Sequence, residues 1–400
     1  MMARRSFLFA AAAALLLGGC DDPKQAPPAG GDAGPAGADK VLKLAAVLPL
    51  TGANASLGQE VANAARLAVE DWNASGQIKG YKLEFIAEDD ASDPKQAVAA
   101  AQRVAADPTV VAVVAHFNSG CLLPASNIYH GAHLMAITPA ATNPEITNQG
   151  FAEIGRVTSH DGVQGKAAGL FIQKKGWKKV AIIHDKTQYG AGLAEVVEKS
   201  VKGVGLTVVG VNGLTVGEKD FKTLLTTVKA TGPDVIYVGG LADEAGFLVR
   251  QMKELGMDIP FFSDDGVYGK DFLEAAGPAS EGAYVSFPSK PFSELKDAER
   301  FFKNYEAKYG TPVQNWGPYG YDAANLLLLG VMYATQDPGP AELREKVVAN
   351  IRKGNFLGVL GNIKLDEKGD PVDQSFSIYQ IQNGQFVYLE TVSAGETAGQ

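Results

Sequence analysis

The chain has few of the residues that build metal centres or covalent catalytic sites. Its 400 residues include two cysteines and five histidines, and the histidines are scattered over different predicted elements. Two cysteines cannot supply a disulfide framework or a cysteine metal site. The sequence also lacks a G-x-S-x-G turn, an H-E-x-x-H helix and a P-loop. These absences argue against an enzyme, and no pattern indicates a cofactor or a metal.

Long apolar runs and an excess of positive charge are also missing from the body of the chain. After Cys20 no apolar stretch is long and uninterrupted enough to be a transmembrane helix. The 36 Lys and Arg residues are outnumbered by 45 Asp and Glu residues, which gives a formal net charge of -9. An acidic chain is disfavoured as a partner of nucleic acid. The composition is that of an ordinary globular protein.

The first twenty residues predict export from the cytoplasm. Arg4-Arg5 precede an apolar run from Phe7 to Leu17, and small residues precede Cys20, which is the pattern of a signal peptide. Leu17-Gly18-Gly19-Cys20 resembles the bacterial lipobox, in which the cysteine is acylated. An ordinary signal peptide beside a chance cysteine is the alternative. The arginine pair also resembles a twin-arginine signal, so the export route stays open.

Residues 21–40 predict a flexible tether, because they are rich in Pro and Gly and have almost no apolar side chains to bury. Asp21-Asp22 resemble the signal that keeps some lipoproteins on the inner membrane. We therefore expect a periplasmic protein that a lipid on Cys20 anchors to a membrane, with the inner membrane favoured.

The body after Val41 alternates predicted strands and helices. Strands are predicted at 41–50, 81–89, 110–115, 134–138, 179–184, 206–211 and 235–238, and most are followed by a helix. A turn region is predicted between 139 and 178. Shorter strands are predicted at 361–365, 375–382 and 386–391. The fold class is therefore α/β with mostly parallel sheets covered by helices on both faces, and about 360 residues favour two domains.

Ligands of open α/β sheets bind at the carboxyl ends of strands, so the loops there are candidate sites. Ser119 and Gly120 stand at a helix start, where a hydroxyl and free N–H groups suit a carboxylate, although a plain N-cap explains them equally well. Asp265 ends an apolar run and suits a ligand ammonium, with a common turn aspartate as the alternative. Gly190-Ala191-Gly192 begins like a dinucleotide fingerprint, but Glu195 occupies the third glycine position.

Several longer motifs carry a resemblance that covers nearly the whole body. The chain resembles the type I periplasmic substrate-binding proteins of ABC transporters for branched-chain amino acids, the leucine/isoleucine/valine-binding class. The motifs are Leu48-Pro49-Leu50-Thr51-Gly52, Asp93-Pro94-Lys95-Gln96-Ala97, Pro124 to Tyr129, Ile137 to Thr142, His184 to Gly190 and Gly217 to Phe221. This resemblance implies two α/β lobes joined by three crossover segments that close over a ligand. It assigns residues 41–160 with 287–371 to one lobe, and 161–286 with 372–400 to the other.

The resemblance also implies a site for an α-amino acid. Its carboxylate would meet Ser119 and Thr142, with backbone help from residues 140–142. Its ammonium would meet Asp265, the carbonyl of Ala140 and the hydroxyl of Tyr189. Two family aromatics align with leucines here, which leaves the preferred side chain open. The expected ligand-binding residues are Leu57, Asn118, Ser119, Gly120, Ala140, Ala141, Thr142, Tyr189, Leu241, Asp265, Trp316 and Tyr319.

The expected function follows from this resemblance. A monomer without cofactor or metal would bind an amino acid, close, and deliver it to the permease subunits of an ABC importer without breaking a bond. A tethered amino acid sensor that signals to a membrane receptor needs the same cleft and is the alternative. An enzyme would need turnover of the bound amino acid, and no motif calls for it.

Overall fold

The computed structural model describes residues 40–295 and 298–397. The predicted signal peptide, the lipidation site at Cys20 and the tether lie outside the described residues. Among the described helices, none combines the length and the apolar character needed to cross a membrane. Cys121 is buried and forms no disulfide.

The first sheet contains five parallel strands in the order β2-β1-β3-β4-β5. Its central strands are buried along their whole length, as expected of a parallel sheet with helices on both faces. The strands are β1 (Lys40–Leu48), β2 (Tyr81–Asp89), β3 (Val110–Ala115), β4 (Met135–Thr138) and β5 (Ile154–Arg156).

The second sheet contains seven strands in the order β14-β13-β10-β9-β8-β6-β7. The strands from β6 to β10 are parallel, and an antiparallel pair completes one edge. A separate hairpin, β11 with β12, lies outside both sheets. These strands are β6 (Lys179–His184), β7 (Thr207–Gly213), β8 (Val235–Gly239), β9 (Phe261–Ser263), β10 (Tyr284–Phe287), β11 (Phe356–Gly358), β12 (Gly361–Ile363), β13 (Ser375–Gln382) and β14 (Gln385–Ser393).

Helices cover both faces of each sheet. The helices are α1 (Ala55–Ser75), α2 (Pro94–Ala106), α3 (Ser119–Gly131), α4 (Glu145–Asn148), α5 (Asp161–Lys174), α6 (Gln188–Gly203), α7 (Lys222–Ala230), α8 (Ala242–Glu254), α9 (Lys270–Ala276), α10 (Glu299–Tyr309), α11 (Gly317–Gln336) and α12 (Leu343–Lys353). On the first sheet, α1, α11 and α12 pack on one face, and α2 and α3 on the other. On the second sheet, α5 and α6 face α7, α8 and α9 across the strands.

The chain passes between the two sheets three times, in residues 157–160, 288–295 and 364–374. We call the first sheet with its helices the first lobe, and the second sheet with its helices the second lobe. The predicted fold class, two parallel-sheet lobes joined by three crossovers, is confirmed. The predicted lobe boundaries at residues 160, 286 and 371 stay a prediction.

One long segment differs from the sequence prediction. The predicted turn region at 139–178 contains α4, β5 and the 14-residue α5. Helix α5 has no clear apolar stripe, because glycines and alanines form much of its buried surface. A Cβ atom at Gly165 would lie 2.7 Å from Val196 Cγ1, and one at Gly169 would lie 2.5 Å from Ser200 Oγ. Close packing against α6 therefore replaces the amphipathic pattern that reveals a helix in sequence.

Candidate functional site

A cavity lies between the lobes, at the carboxyl ends of strands from both sheets. It is narrow, with about 30 Å³ of room for the centres of water-sized molecules. Loops after β3 and β4 line it from the first lobe, and loops after β6, β8 and β9 line it from the second. Its lining residues are Leu57, Phe117, Asn118, Ser119, Ala140, Tyr189, Leu241, Asp265, Gly266 and Trp316.

The first-lobe wall of the cavity presents hydroxyl and N–H groups. Ser119 is the first residue of α3. The N–H groups of Ser119 and Gly120 therefore have no carbonyl acceptor within the helix. The Ser119 hydroxyl accepts the Asn143 N–H at 3.3 Å. Thr142 is fully buried, and within the described residues its hydroxyl has no hydrogen-bond partner. A helix N-terminus with two hydroxyls beside it suits an anionic group.

The loop after β4 is held rigidly from behind. The N–H groups of Ala140 and Ala141 both donate to Thr138 Oγ1, at 3.2 and 2.8 Å. The buried Arg156 donates to the carbonyls of Ala141 and Asn143, at 2.8 and 2.9 Å. Two of the N–H groups expected to assist a carboxylate are therefore already bonded. The hydroxyl of Thr142 remains as the polar group of this loop without a partner in the described structure.

The second-lobe wall presents the carboxyl group of Asp265, and Asp161 lies near it without lining the cavity. Asp265 follows β9 and is 4% exposed, and its Oδ1 accepts the Tyr189 hydroxyl at 2.9 Å. Asp161 begins α5 and is fully buried, and neither of its carboxyl oxygens has a hydrogen-bond partner among the described residues. Its own N–H donates to the Thr142 carbonyl at 2.9 Å, which places it next to the first-lobe wall. A buried carboxyl without a partner is costly unless a cationic group joins it.

Comparisons with known proteins agree with this geometry. A family model described as periplasmic binding protein matches residues 41–385. The chain belongs to the periplasmic binding protein family. This family consists of substrate-binding proteins and not of enzymes, and it works in the periplasm.

Individual relatives cover most of the chain. The Leu/Ile/Val-binding protein homolog 1 of Brucella suis is 37% identical over 338 residues, which is 84% of this chain and 89% of the relative. The leucine-, isoleucine-, valine-, threonine- and alanine-binding protein of Pseudomonas aeruginosa is 37% identical over 85% of this chain and 89% of its own. The substrate-binding protein LivJ of Streptococcus pneumoniae, solved in complex with isoleucine, superposes with a TM-score of 0.79 at 27% identity, over 88% of this chain and 100% of its own.

Burial raises the pKa values of two carboxyl groups of the second lobe. Burial first, and then the charge of Asp265, raises the pKa of Asp161 to about 8, against smaller lowering effects of Thr142 and Arg156. Burial raises the pKa of Asp265 to about 6, although bonds from Tyr189 and Gln164 lower it. Asp161 is therefore mostly protonated at neutral pH, whereas Asp265 is mostly ionised. A bound cation would favour their ionised forms.

The apolar part of the cavity includes an anchored tryptophan. Trp316 is 2% exposed and packs edge-on against Phe117 and Phe287, with ring centroids 5.7 and 5.1 Å away. Its loop is fixed by the buried Glu60 carboxylate of α1, which accepts the N–H groups of Gln314, Asn315 and Gly317 at 3.2, 3.1 and 2.6 Å. Burial raises the pKa of Glu60, and these three bonds oppose that rise.

Eight of the twelve expected ligand-binding residues line the cavity. Thr142 lies behind its first-lobe wall, and Gly120 and Ala141 belong to the same two loops without lining it. Tyr319 lies away from it, in a wider groove that runs along the three crossing segments. The Tyr189 hydroxyl donates to Asp265, so it orients that carboxyl. The ligand roles of the twelve residues stay a prediction.

Three residues were not predicted from the sequence. Phe117 and Gly266 line the cavity beside predicted neighbours, and they are missed because nothing in their residue type indicates a ligand. Asp161 lies in the predicted turn region, where an aspartate before a helix signals only a cap. No group of three or more His, Cys, Asp or Glu side chains in residues 40–295 and 298–397 is placed to hold a metal ion.

Proposed function

We propose that the chain is the extracytoplasmic substrate-binding lipoprotein of an ABC importer, and that it binds an α-amino acid with a small or aliphatic side chain. The observation that carries this proposal is the pair of opposed polar walls. Donors that suit a carboxylate stand on one lobe, and buried carboxyls that suit an ammonium stand on the other. A zwitterionic head group satisfies both walls at once.

The head group would be held from both lobes. Its carboxylate would take hydrogen bonds from Ser119, Thr142 and the N–H groups at the start of α3. Its ammonium would pair with Asp265 and donate to the Ala140 carbonyl. Asp161 adds a second carboxyl close to the ammonium position. Charge-assisted bonds of this kind are stronger than neutral ones.

The rest of the cavity favours an apolar side chain. Leu57, Leu241, Phe117 and Trp316 contribute most of the remaining lining. None of them offers a charge to a ligand side chain. The Pseudomonas aeruginosa relative, which binds leucine, isoleucine, valine, threonine and alanine, supports the same class of substrate. A charged amino acid would leave its side-chain charge buried without a partner.

Delivery follows from the two-lobed arrangement. A ligand that touches both walls binds the closed form more tightly than the open form, so it shifts the population towards closure. A permease that recognises the closed form then receives loaded protein in preference to empty protein. No bond in the ligand changes.

Mass spectrometry of the ligand that co-purifies with the protein tests the substrate. We expect an unaltered aliphatic amino acid after denaturation. Calorimetric titration of the stripped and refolded protein with leucine, isoleucine, valine, threonine, alanine, glutamate and lysine then ranks the ligands. Binding of the aliphatic members and not of glutamate or lysine supports the proposal. Failure of every amino acid to bind would contradict it.

The lipid anchor needs its own experiment. Cys20→Ala should move the protein from the membrane fraction to the soluble fraction, because stable anchoring depends on acyl chains at that residue. Ligand affinity should stay unchanged, because the cavity is built by residues after 40. Unaltered fractionation would contradict the lipoprotein assignment and leave the binding proposal intact.

A further inference from the structure

Two side-chain amides reach across from the first lobe to the second. Asn143, in the loop after β4, donates from Nδ2 to the carbonyl of Gln188 at the start of α6, at 2.7 Å. Asn315, just before α11, donates from Nδ2 to the carbonyl of Tyr268. The first bond lies next to Ser119 and the second next to Trp316, so the two bonds stand at different ends of the cavity. Neither asparagine lines the cavity.

The first lobe holds the two asparagines in different ways. The Asn143 Oδ1 accepts the Glu145 N–H at 2.8 Å, and its carbonyl accepts Arg156 at 2.9 Å. The backbone of Asn315 is held by the bond from its N–H to Glu60. Both residues are buried, at 4% and 6% exposure. Because the orientation of the Asn143 amide is preset, little of its rotamer freedom is lost when the lobes meet.

A glycine of the second lobe faces each amide. A Cβ atom at Gly192 in α6 would lie 2.5 Å from Nδ2 of Asn143, and one at Gly269 would lie 2.6 Å from Nδ2 of Asn315. These distances are too short for real contacts, so a larger residue would either displace the amide and break its bond across the lobes or hold the lobes apart. Two bonds and two matching glycines at different ends of one cavity indicate complementary surfaces between the lobes.

We propose that Asn143 and Asn315 are latches that set the ratio of closed to open protein, and that they control ligand affinity and release without contacting the ligand. The apparent dissociation constant rises in proportion as the binding-competent fraction falls. Latch bonds form on closure, so their loss should act mainly on the dissociation rate. The effect on affinity rests on the proposed function, whereas the closure itself does not.

A disulfide trap measures closure without any ligand. A Cβ atom at Gly120 would lie 3.7 Å from the Gln188 Cβ atom, which is the separation that a disulfide needs. Gly120→Cys with Gln188→Cys should therefore cross-link when the lobes close. Cys20→Ala and Cys121→Ser remove the two native thiols, so no other pair competes. The rate of cross-linking under a mild oxidant reports the closed population even when it is small.

Gly192→Ala is the main test, and Gly203→Ala is its matched control. Both glycines lie in α6, but a Cβ atom at Gly203 has no neighbour within 4 Å. In ligand-stripped protein, Gly192→Ala should slow cross-linking about tenfold, and Gly203→Ala should leave it within about twofold. Equal rates for the two variants would overturn the proposal. Circular dichroism confirms that both variants are folded.

Removal of one latch bond gives a second, gentler test. Asn143→Asp keeps the acceptor for the Glu145 N–H but replaces the donor that reaches Gln188. Loss of a hydrogen bond of ordinary strength corresponds to about a fivefold change, so the closed fraction and the affinity for L-leucine should each fall by about that factor. If L-leucine does not bind the unmodified protein, the substrate assignment fails, but the cross-linking rates still decide whether the latches exist. Unchanged cross-linking in Asn143→Asp would refute this latch.

Discussion

The two walls of the cavity differ in chemistry although both stand at the ends of parallel strands. The first-lobe wall offers hydroxyls and a helix N-terminus, and its loop is braced by Thr138 and Arg156. On the second-lobe wall, Asp265 is buried with one hydrogen bond from Tyr189, and Asp161 nearby is buried without a hydrogen-bond partner among the described residues. The first wall therefore has unused hydrogen-bond donors, whereas the second has buried carboxyls without a hydrogen-bonded cation in the described structure. Neither wall alone can recognise a zwitterion, which explains why a ligand of this class would join the lobes.

The largest expected effect is on the second wall. Asp265→Ala removes the counter-charge of the proposed ammonium, and loss of one member of a buried charge pair costs about 2 to 5 kcal/mol. We expect the dissociation constant for an aliphatic amino acid to rise by roughly 30-fold to several thousand-fold. Calorimetric titration of stripped protein measures the change. The affinity for the deaminated analogue of the same amino acid should fall much less in this variant, because the analogue has no ammonium to pair with Asp265.

Asp264 is the control for Asp265, and its burial determines which substitution is suitable. Asp264 is fully buried, and its Oδ2 accepts the Gly240 N–H at 2.7 Å. It does not line the cavity. Asp264→Asn preserves the shape of the side chain, so the dissociation constant should stay within about threefold of that of the unmodified protein. Alanine at this position would also disturb packing. Similar losses in Asp264→Asn and Asp265→Ala would contradict a positioned counter-charge.

A smaller effect concerns the stability of the ligand-stripped protein. The pKa of Asp161 is raised to about 8 in the folded chain, so the folded state holds a proton that the unfolded state has released. Between about pH 4 and 8 this group lowers the free energy of unfolding progressively as pH rises. Asp161→Asn should therefore stabilise the stripped protein by about 1 to 3 kcal/mol at pH 8. Denaturant titrations at pH 5 and pH 8 should show the gain at the higher pH, and equal gains at both would contradict it.

The pH dependence of binding sharpens the contrast between the walls. An ammonium favours ionised Asp265, whose pKa is raised to about 6. Affinity should therefore increase about tenfold between pH 5 and pH 8, with protons released on binding. Calorimetry in buffers of different ionisation enthalpy detects those protons. Flat affinity over this range would indicate that the ammonium lies elsewhere.

The smallest effect is expected on the first wall. Ser119→Ala removes one of several donors, so the loss should be about three- to tenfold in affinity, typical of one hydrogen bond. The amide of the same amino acid, which has no carboxylate, should be affected less. A loss as large as that of Asp265→Ala would show that the first wall dominates recognition.

The sequence predicts ten of the fourteen described strands and misses β5, β9, β10 and β11, and it predicts the helices unevenly. Asp93-Pro94 predicts the start of α2 correctly, since Asp93 accepts the N–H groups of Lys95 and Gln96. Helix α5 is missed because its interface with α6 depends on Gly165 and Gly169, whose role requires knowledge of the partner helix. Local capping chemistry is visible in sequence, whereas close helix packing is not.

The same distinction holds for the cavity. Ser119 and Asp265 are predicted because their residue types and positions after strands indicate head-group chemistry. Asp161 is missed because its importance comes from burial, which only the folded chain establishes. Tyr319 packs beside Trp316, with ring centroids 5.1 Å apart, but it lines the groove along the crossing segments and not the cavity, which only the folded chain establishes.

The three crossings make the order of synthesis matter for folding. All five strands of the first sheet precede residue 157, yet α11 and α12, which cover one of its faces, end at residue 353. Leu44 and Leu48 of β1 share a core with Leu327 and Val347. A chain that has emerged only as far as the second lobe therefore carries a first sheet with one apolar face that α1 alone covers. The strands of the first lobe are synthesised before the second lobe. Its last two helices are synthesised only after most of the second lobe.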